Sequence, residues 1–423
     1  MEKIKAVRGT KDILPAESGK WQFLENKARE IFSLYGYKEI RTPVFEEISL
    51  FVRGIGQGTD IVRKEMYVFD DRKGRKLCLR PEGTAGVMRA VLEHNLNADN
   101  SIMKLFYTGP MFRYERPQAG RYRQHTQIGV EVIGSDEPSL DAEVISLVYN
   151  YFIITGLENI QVELNSVGCG NCRGKYKDIL KEALTKNVND FCPDCRERFN
   201  LNVLRMFDCK IPECQKYLDE APKITDAICP DCQAHLDEVK ACLDLLKIKY
   251  KMNPRLVRGL DYYTRTTFEI IFSSLGAQNA IAAGGRYDKL IKELGGDEIP
   301  GIGFAMGLER IVLALDSIGK KWPDMSGIEV YSIAIGSKKA FEYLYELTDK
   351  CRRSGISSEI GYGQKSLKSQ LKTANKLNAK RVIILGEREL EKGTAILRLM
   401  STGEQKEIKL DELMSVVKKE ILS

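Results

Sequence analysis

Histidine is scarce in this chain: only His94, His125 and His235 occur. A His-rich metal site is therefore excluded, and a histidine-centred nucleophilic triad has few candidates. Long apolar runs are missing as well. The longest, Val144 to Gly156 (VISLVYNYFIITG), contains Asn and Thr and falls short of the ~20 residues that a spanning helix needs, so no membrane partner is expected. The opening MEKIKAVRGTKDILP lacks the apolar core of a secretory signal, which points to a cytoplasmic protein. A strong charge of one sign is also absent. The 65 Lys+Arg residues against 59 Asp+Glu leave +6 over 423 residues, so any nucleic-acid contact must be local and not a general basic coat. Neither a G-x-x-x-x-G-K-[ST] loop nor the G-x-G-x-x-G dinucleotide fingerprint occurs, so a bound ATP would be held by arginines.

What is present is ordinary for a folded chain: 43% hydrophobic and 29% charged residues exclude disorder, and the length suggests two to three domains of roughly 150 residues. Up to about Gly168 helices mix with strands; Trp21 to Tyr35 reads as a helix and Val132 to Gly134 closes a strand. From Cys169 to about Lys247 the sequence turns helical and polar and holds nine of the eleven cysteines. Strand-like segments return from Tyr250 to Leu315. Residues 319–327 (GKKWPDMSG) read as a linker, and the rest alternates strand and helix as a small α/β domain. Without an export signal, eleven cysteines imply reduced thiols, with metal ligation the first alternative to disulfides. The pairs Cys169/Cys172, Cys192/Cys195 and Cys229/Cys232 are C-x-x-C, and Cys209/Cys214 is a wider pair. The gap from Cys172 to Cys192 falls in the zinc-ribbon window. Structural Zn²⁺ would order a small insertion that buries little core by itself, although spacing alone assigns no ligands.

The most informative residues are arginines and carboxylates in strand and turn contexts. Within FRYERPQAGRYRQ, Arg113, Glu115, Arg116, Arg121 and Arg123 crowd a Pro-Gln-Ala-Gly turn. Strand alternation would point Arg113 and Glu115 the same way, and likewise Gln127, Gly129 and Glu131 on a returning strand. Such a hairpin could present guanidinium forks to phosphate and carboxylates to amines, or be a solvated charged surface. LVRGLDYYTRTTFE sets Arg258 and Asp261 beside Tyr262 and Tyr263. AAGGRYDKL carries two glycines, for close approach to a ligand or for a bulge. In GIGFAMGLERIVLAL, Leu308, Ile311, Val312 and Leu315 make a buried helical stripe. Arg310 lies inside that helix, where an unpaired cation is expensive, so a phosphate or carboxylate partner is expected.

These segments together resemble the histidyl-tRNA synthetases, a family of class II aminoacyl-tRNA synthetases, over nearly the full length. VRGTKDILP, GYKEIRTPVFE (Gly36–Glu46) and LRPEGT (Leu79–Thr84) are similar to the family's opening and first class motif, FRYERPQAGRYRQ to the second and GIGFAMGLER to the third. LVRGLDYYTRTTFE and AAGGRYDKL resemble its two histidine-specific motifs, and GQKSLKSQLKTANKLNAKRVIILGERELEKGT its anticodon-binding domain. The resemblance implies an α+β fold: an antiparallel sheet flanked by helices over 1–322, a helical Cys-rich insertion at about 169–247, and an α/β anticodon-binding domain at 328–423. It also implies a homodimer formed around Pro43.

The activity so implied is ATP- and Mg²⁺-dependent activation of L-histidine, followed by transfer to tRNA(His). Glu82, Gly83, Thr84 and Gln127 would hold histidine at its α-amino end. Glu131 and Tyr263 would bond its imidazole, with Tyr262 shaping the pocket. Arg113 would meet the carboxylate and the α-phosphate, and Arg258 would lie opposite it. Glu115 would take the adenine amino group, and Arg121 and Arg310 the outer phosphates. One departure is visible: His125 stands where the family carries the phenylalanine that stacks on adenine. A non-catalytic histidine-sensing subunit of ATP phosphoribosyltransferase is the alternative, but such relatives tend to lack the anticodon domain and the catalytic arginines. In the last domain Leu367, Leu371, Ala374 and Leu377 should form an apolar helix face, and Lys368, Lys372 and Lys376 a basic one open to tRNA phosphates.

Overall fold

The computed structural model describes residues 3–99, 101–323, 327–363 and 365–422. Contacts divide the chain into two compact units, one ending at Lys321 and one beginning at Trp322, with Leu14–Gly19 clustering with the second. The expected linker at 319–327 lies in part outside the described residues.

The first unit contains strands β1 (Lys38–Glu39), β2 (Phe45–Glu47), β3 (Val68–Asp70), β4 (Lys76–Leu79), β5 (Met103–Phe112), β6 (Gln124–Ile133), β7 (Gln161–Ser166), β8 (Tyr250–Met252), β9 (Thr264–Ile271), β10 (Ala280–Arg286) and β11 (Gly301–Gly307). Eight of them form one sheet in the order β1-β5-β6-β11-β10-β9-β7-β8. Every pairing is antiparallel except β1 with β5 and β7 with β8, at the two edges. This is the antiparallel architecture expected. The run VISLVYNYFIITG lies in the helix Pro138–Thr155, which starts with Pro at its first turn and stops at Gly156 in the left-handed region. Both features favour a helix at those positions: proline has no N–H to lose there, and glycine accepts φ 103° without a Cβ clash. Its length of apolar sequence is used in burial, with Val144, Leu147, Val148, Tyr151 and Phe152 all inside.

Between β7 and β8, which are neighbours in the sheet, the chain leaves to form the Cys-rich insertion and returns. Its helices are Gly170–Thr185, Pro193–Leu201, Pro212–Asp219 and Pro230–Leu245, with a 3₁₀ segment at Val203–Asp208. Contrary to the expectation of a poor core, it buries Tyr176, Leu180, Phe191, Val203, Met206 and Leu218, in an apolar cluster that continues into Tyr262, Tyr263 and Tyr287.

The second unit contains β12 (Val330–Ile335), β13 (Ser358–Ile360), β14 (Arg381–Gly386), β15 (Thr394–Leu399) and β16 (Gln405–Lys409). They pair in the order β13-β12-β14-β15-β16, with helices Lys338–Arg353, Leu367–Lys376 and Glu387–Lys392 between strands and Leu413–Leu422 after the last. The apolar face expected on Leu367–Lys376 is narrower than the pattern suggested. Ala374 is buried, Leu371 partly so, and Leu367 and Leu377 are exposed. Gln370 takes the remaining inward position, donating to the carbonyls of Ala334 at 3.2 Å and Lys365 at 2.9 Å, which makes burial of a polar residue tolerable. Lys368, Lys372 and Lys376 are exposed.

Candidate active site

One face of the large sheet opens into a cleft of about 290 Å³ lined by Glu82, Thr84, Arg113, Glu115, Arg121, His125, Gln127, Arg258, Tyr262, Tyr263 and Arg310. These come from four separate stretches of sequence, gathered over the part of the sheet ordered β6-β11-β10-β9. Gly83 and Glu131 are absent from that lining, though the Glu131 carboxylate lies against Gly303, which is part of it.

One end of the cleft is built on the first turn of the helix Thr84–Glu93. The Glu82 carboxylate accepts from the N–H groups of Thr84 at 2.6 Å and Ala85 at 2.9 Å, two donors that a helix start otherwise leaves unpaired. Burial raises its pKa while these bonds and Arg113 oppose the rise. Thr84 Oγ1 donates to Glu131 Oε1 at 2.7 Å, and the Tyr287 hydroxyl donates to Glu131 Oε2. Glu131 is 1% exposed, and burial pushes its carboxyl up to about 8 against the pull of both hydroxyls. Gln127 Oε1 is buried with no hydrogen-bond partner among the described residues, an acceptor available to a ligand amine.

At the other end, β5 stops at Phe112, so Arg113 and Glu115 lie in the loop beyond it and not on a shared strand face. They converge all the same, because Arg113 Nε is fixed on the Pro81 carbonyl at 2.8 Å and Glu115 takes Arg121 at 3.1 Å. Arg123, from the same arginine cluster, turns away to stack on the Tyr114 ring at 3.8 Å. Arg258 pairs with Glu269. The Arg310 guanidinium donates to the backbone carbonyls of Ala280 at 2.8 Å and Gly120 at 3.3 Å, which relieve part of the cost of burying the cation. Burial, then the nearby Arg113 and Arg310, hold His125 neutral with a pKa lowered to about 3.

The glycine pair of AAGGRYDKL serves packing. A Cβ on Gly285 would meet Tyr263 Cδ1 at 2.9 Å and one on Gly284 the Phe268 ring at 2.7 Å, and the pairing with β9 shifts register between Gly285 and Arg286. The bulge is the alternative that holds. Arg286 itself is fully buried, paired with Asp141 at 2.8 Å and Asp288 at 3.0 Å. Sequence reading missed Tyr107, Glu269, Tyr287 and Glu309, which also line the cleft. Only Glu309 carried a signal, its place beside Arg310 in GLER; Tyr107 and Tyr287 look like ordinary strand aromatics until the sheet is assembled.

The model of the histidyl-tRNA synthetase family matches residues 9–311, and that of an anticodon binding domain matches 329–420. The chain belongs to the histidyl-tRNA synthetase family. A histidine–tRNA ligase of Halothermothrix orenii is 52% identical over 419 residues, covering 98% of this synthetase and 99% of its own length. One from Caldanaerobacter subterraneus is 49% identical over 414 residues, covering 98% and 99%. The crystal structure of apo Staphylococcus aureus histidyl-tRNA synthetase superposes with a TM-score of 0.83 at 38% identity, covering 98% of this synthetase and 100% of that chain. No helix among the described residues is long and apolar enough to cross a membrane.

Proposed function

We propose that the cleft activates L-histidine with ATP to histidyl-adenylate, releasing pyrophosphate, and then passes the histidyl group to the 3′-terminal ribose of tRNA(His). The chain is a histidine–tRNA ligase, a class II aminoacyl-tRNA synthetase of protein biosynthesis. The single observation that carries the site assignment is the presence of Arg113, Arg258 and Arg310 in one cleft with Glu82, Tyr262 and Tyr263.

In this reading the α-amino group sits among Glu82, Thr84 and Gln127, with Gly83 allowing the turn to pack. The imidazole bonds Glu131 and Tyr263 against Tyr262. A pocket built to satisfy two ring nitrogens leaves its own polar groups unpaired with an isostere, a penalty of about 10⁴ to 10⁵ in selectivity. The histidine carboxylate oxygen attacks the α-phosphorus, and the bond to the bridging oxygen breaks so that pyrophosphate departs. Negative charge gathers at that phosphorus, where Arg113 and Arg258 stabilise it from opposite sides. Arg121 and Arg310 take the outer phosphates, Glu115 the adenine amino group, and His125 stacks on the base. Glu309 fits Mg²⁺, since its Oε1 accepts from Thr126 N–H at 2.8 Å while Oε2 is buried without a hydrogen-bond partner among the described residues. Bound there, the ion would neutralise phosphate charge.

Residues 1–322, with the insertion at about 169–247, form the catalytic domain in this reading and 328–423 the anticodon-binding domain. A cytoplasmic homodimer is part of the proposal; exposed Val44, Phe45, Val68 and Phe69 on the small sheet beside Pro43 support it. The match of an anticodon-binding model at 329–420 favours the ligase over a regulatory subunit. Histidine-dependent exchange of labelled pyrophosphate into ATP is the test. Activity is expected in this chain and near-complete loss in Arg258→Ala; absence of exchange would refute the reading.

A further inference from the structure

Eight cysteines of the insertion gather into two groups, and the grouping does not follow nearness in sequence. Cys169 and Cys172 meet Cys229 and Cys232, while Cys192 and Cys195 meet Cys209 and Cys214. The second group is therefore nested inside the first. In each group the four sulfurs lie within 4.8 Å of one another, and among the described residues none of the cysteines forms a disulfide.

We infer that the insertion holds two structural zinc ions in nested tetrathiolate sites, an outer clasp at Cys169/Cys172/Cys229/Cys232 and an inner one at Cys192/Cys195/Cys209/Cys214, and that the inner ion fixes the turn against which the Arg258–Tyr263 loop rests. The spacing fits a single tetrahedral ion: Zn–S bonds of about 2.3 Å place sulfurs about 3.8 Å apart. Cys169 Sγ and Cys172 Sγ are 3.6 Å apart, and Cys192 Sγ and Cys209 Sγ 4.0 Å. An iron–sulfur cluster, being larger than one ion, would hold its thiolates farther apart. A donor set of thiolates alone selects zinc over hard cations.

The backbone prepares the thiolates as well. Cys169, Cys192 and Cys229 each cap the N-terminus of a helix, where the dipole favours negative sulfur. N–H groups point at the sulfurs: Cys229 N–H donates to Cys172 Sγ at 3.0 Å, Cys192 N–H to Cys214 Sγ at 3.3 Å, and Cys195 N–H to Cys192 Sγ at 3.4 Å. Thiols that served only as apolar filler would have no reason to converge four at a time, twice.

The inner clasp brackets the 3₁₀ segment Val203–Asp208. From that bracketed stretch Asn202 Nδ2 donates to Asp261 Oδ1 at 2.7 Å, and Arg205 packs so closely on Gly259 that a Cβ there would lie 2.9 Å from its guanidinium. Gly259 and Asp261 belong to the loop that carries Arg258, Tyr262 and Tyr263. The outer clasp ties the first insertion helix to the last, where the chain leaves and re-enters the sheet, and Arg173, beside Cys172, donates to the Asp261 carbonyl at 3.0 Å and to the Tyr263 carbonyl, so it too bears on the loop.

Full-length protein purified without chelators should contain two zinc ions per chain by elemental analysis, released when the thiols are modified with an organomercurial. Replacement by Co²⁺ should give thiolate charge-transfer and tetrahedral d–d bands at the same stoichiometry. Cys195→Ser and Cys232→Ser should each lose one ion, and Cys195→Ser should raise the KM for histidine by about 10-fold on the orientation argument. Zinc near one per chain or below, iron in its place, or loss of both ions from a single variant would overturn the two nested sites. An unchanged histidine KM in Cys195→Ser would overturn the link to the loop. If either variant does not fold, the wild-type ion count and the cobalt spectrum decide. The KM arm rests on the ligase reading; the ion count does not, so failure of pyrophosphate exchange in the wild type would be read separately.

Discussion

Gly83 offers the sharpest test of how the proposed amino-acid end of the cleft is held. Its backbone is in the ordinary right-handed helical region, φ −99° and ψ −28°, so any residue could adopt that conformation. The demand for glycine is steric. A Cβ at Gly83 would fall well under 3.0 Å from Tyr107 Cε2 and Cζ and 2.6 Å from its hydroxyl oxygen. The ring cannot step aside, because Gly129 flanks it as well, where a Cβ would lie 2.9 Å from Cε1. Tyr107 is 3% exposed, so no solvent-side rotamer is open to it. Gly83→Ala must therefore displace either the ring or the Glu82–Thr84 turn by about 1 Å, and overpacking of this kind costs roughly 1–3 kcal/mol. Because Glu82 and Thr84 are the proposed amine ligands, a misplacement of about 1 Å should lower kcat/KM for histidine by about 10²-fold. Pyrophosphate exchange and thermal unfolding would measure both effects. The double variant Gly83→Ala/Tyr107→Leu, which removes the clashing ring edge, should recover stability relative to Gly83→Ala alone. Wild-type kcat/KM and melting temperature in Gly83→Ala would refute the steric account.

Glu131→Gln should flatten the stability–pH profile. Folding raises the Glu131 pKa to about 8 from 4.5, so the wild type loses the associated stability as pH rises across that interval and the variant does not; denaturant unfolding at pH 6 and pH 8.5 would show it. His125→Phe should leave ATP binding intact or tighten it, and wild-type ATP affinity should not follow protonation of His125 between pH 5.5 and 8, since burial and two arginines already hold that ring neutral. A large affinity loss in equilibrium ATP binding would contradict the stacking role. Reversing charge at Lys368 and Lys372 should weaken tRNA binding and flatten its dependence on salt in filter-binding assays; unchanged binding would dismiss the lysine face.

Much of this architecture was legible in the sequence because local signals and global fold agree. Proline at the start and glycine at the end of Pro138–Thr155 bound that helix, and the strand alternation of Gln127, Gly129 and Glu131 survives in β6. Partners across the fold were not legible. Nothing near Arg310 in sequence announces that the Ala280 and Gly120 carbonyls will receive it, because those contacts cross β-sheet neighbours far apart in the chain. The cysteine grouping was illegible for the same reason: spacing alone assigned no ligands, and only the fold brings Cys229/Cys232 to Cys169/Cys172. The alternation argument for Arg113 and Glu115 gave the right neighbours for the wrong cause, since the strand ends one residue earlier.

The cleft gathers four arginines, Arg113, Arg121, Arg258 and Arg310, and faces them with Glu82, Glu115, Glu269 and Glu309. Each arginine already has a hold on the protein: the Pro81 carbonyl, Glu115, Glu269, and the Gly120 and Ala280 carbonyls respectively. These contacts hold the guanidiniums in place without a ligand, so in the proposed reaction little reorganisation would accompany charge development at the α-phosphorus. The balance also has a cost that explains the acidic residues. Burial raises the carboxyls of Glu82, Glu269 and Glu309, and burial followed by repulsion from Arg121 lowers Arg310; removing either sign alone would leave the other uncompensated. Glu269→Gln should therefore impair activation even though Glu269 meets no substrate in the proposed scheme, because Arg258 would lose the group that aims it.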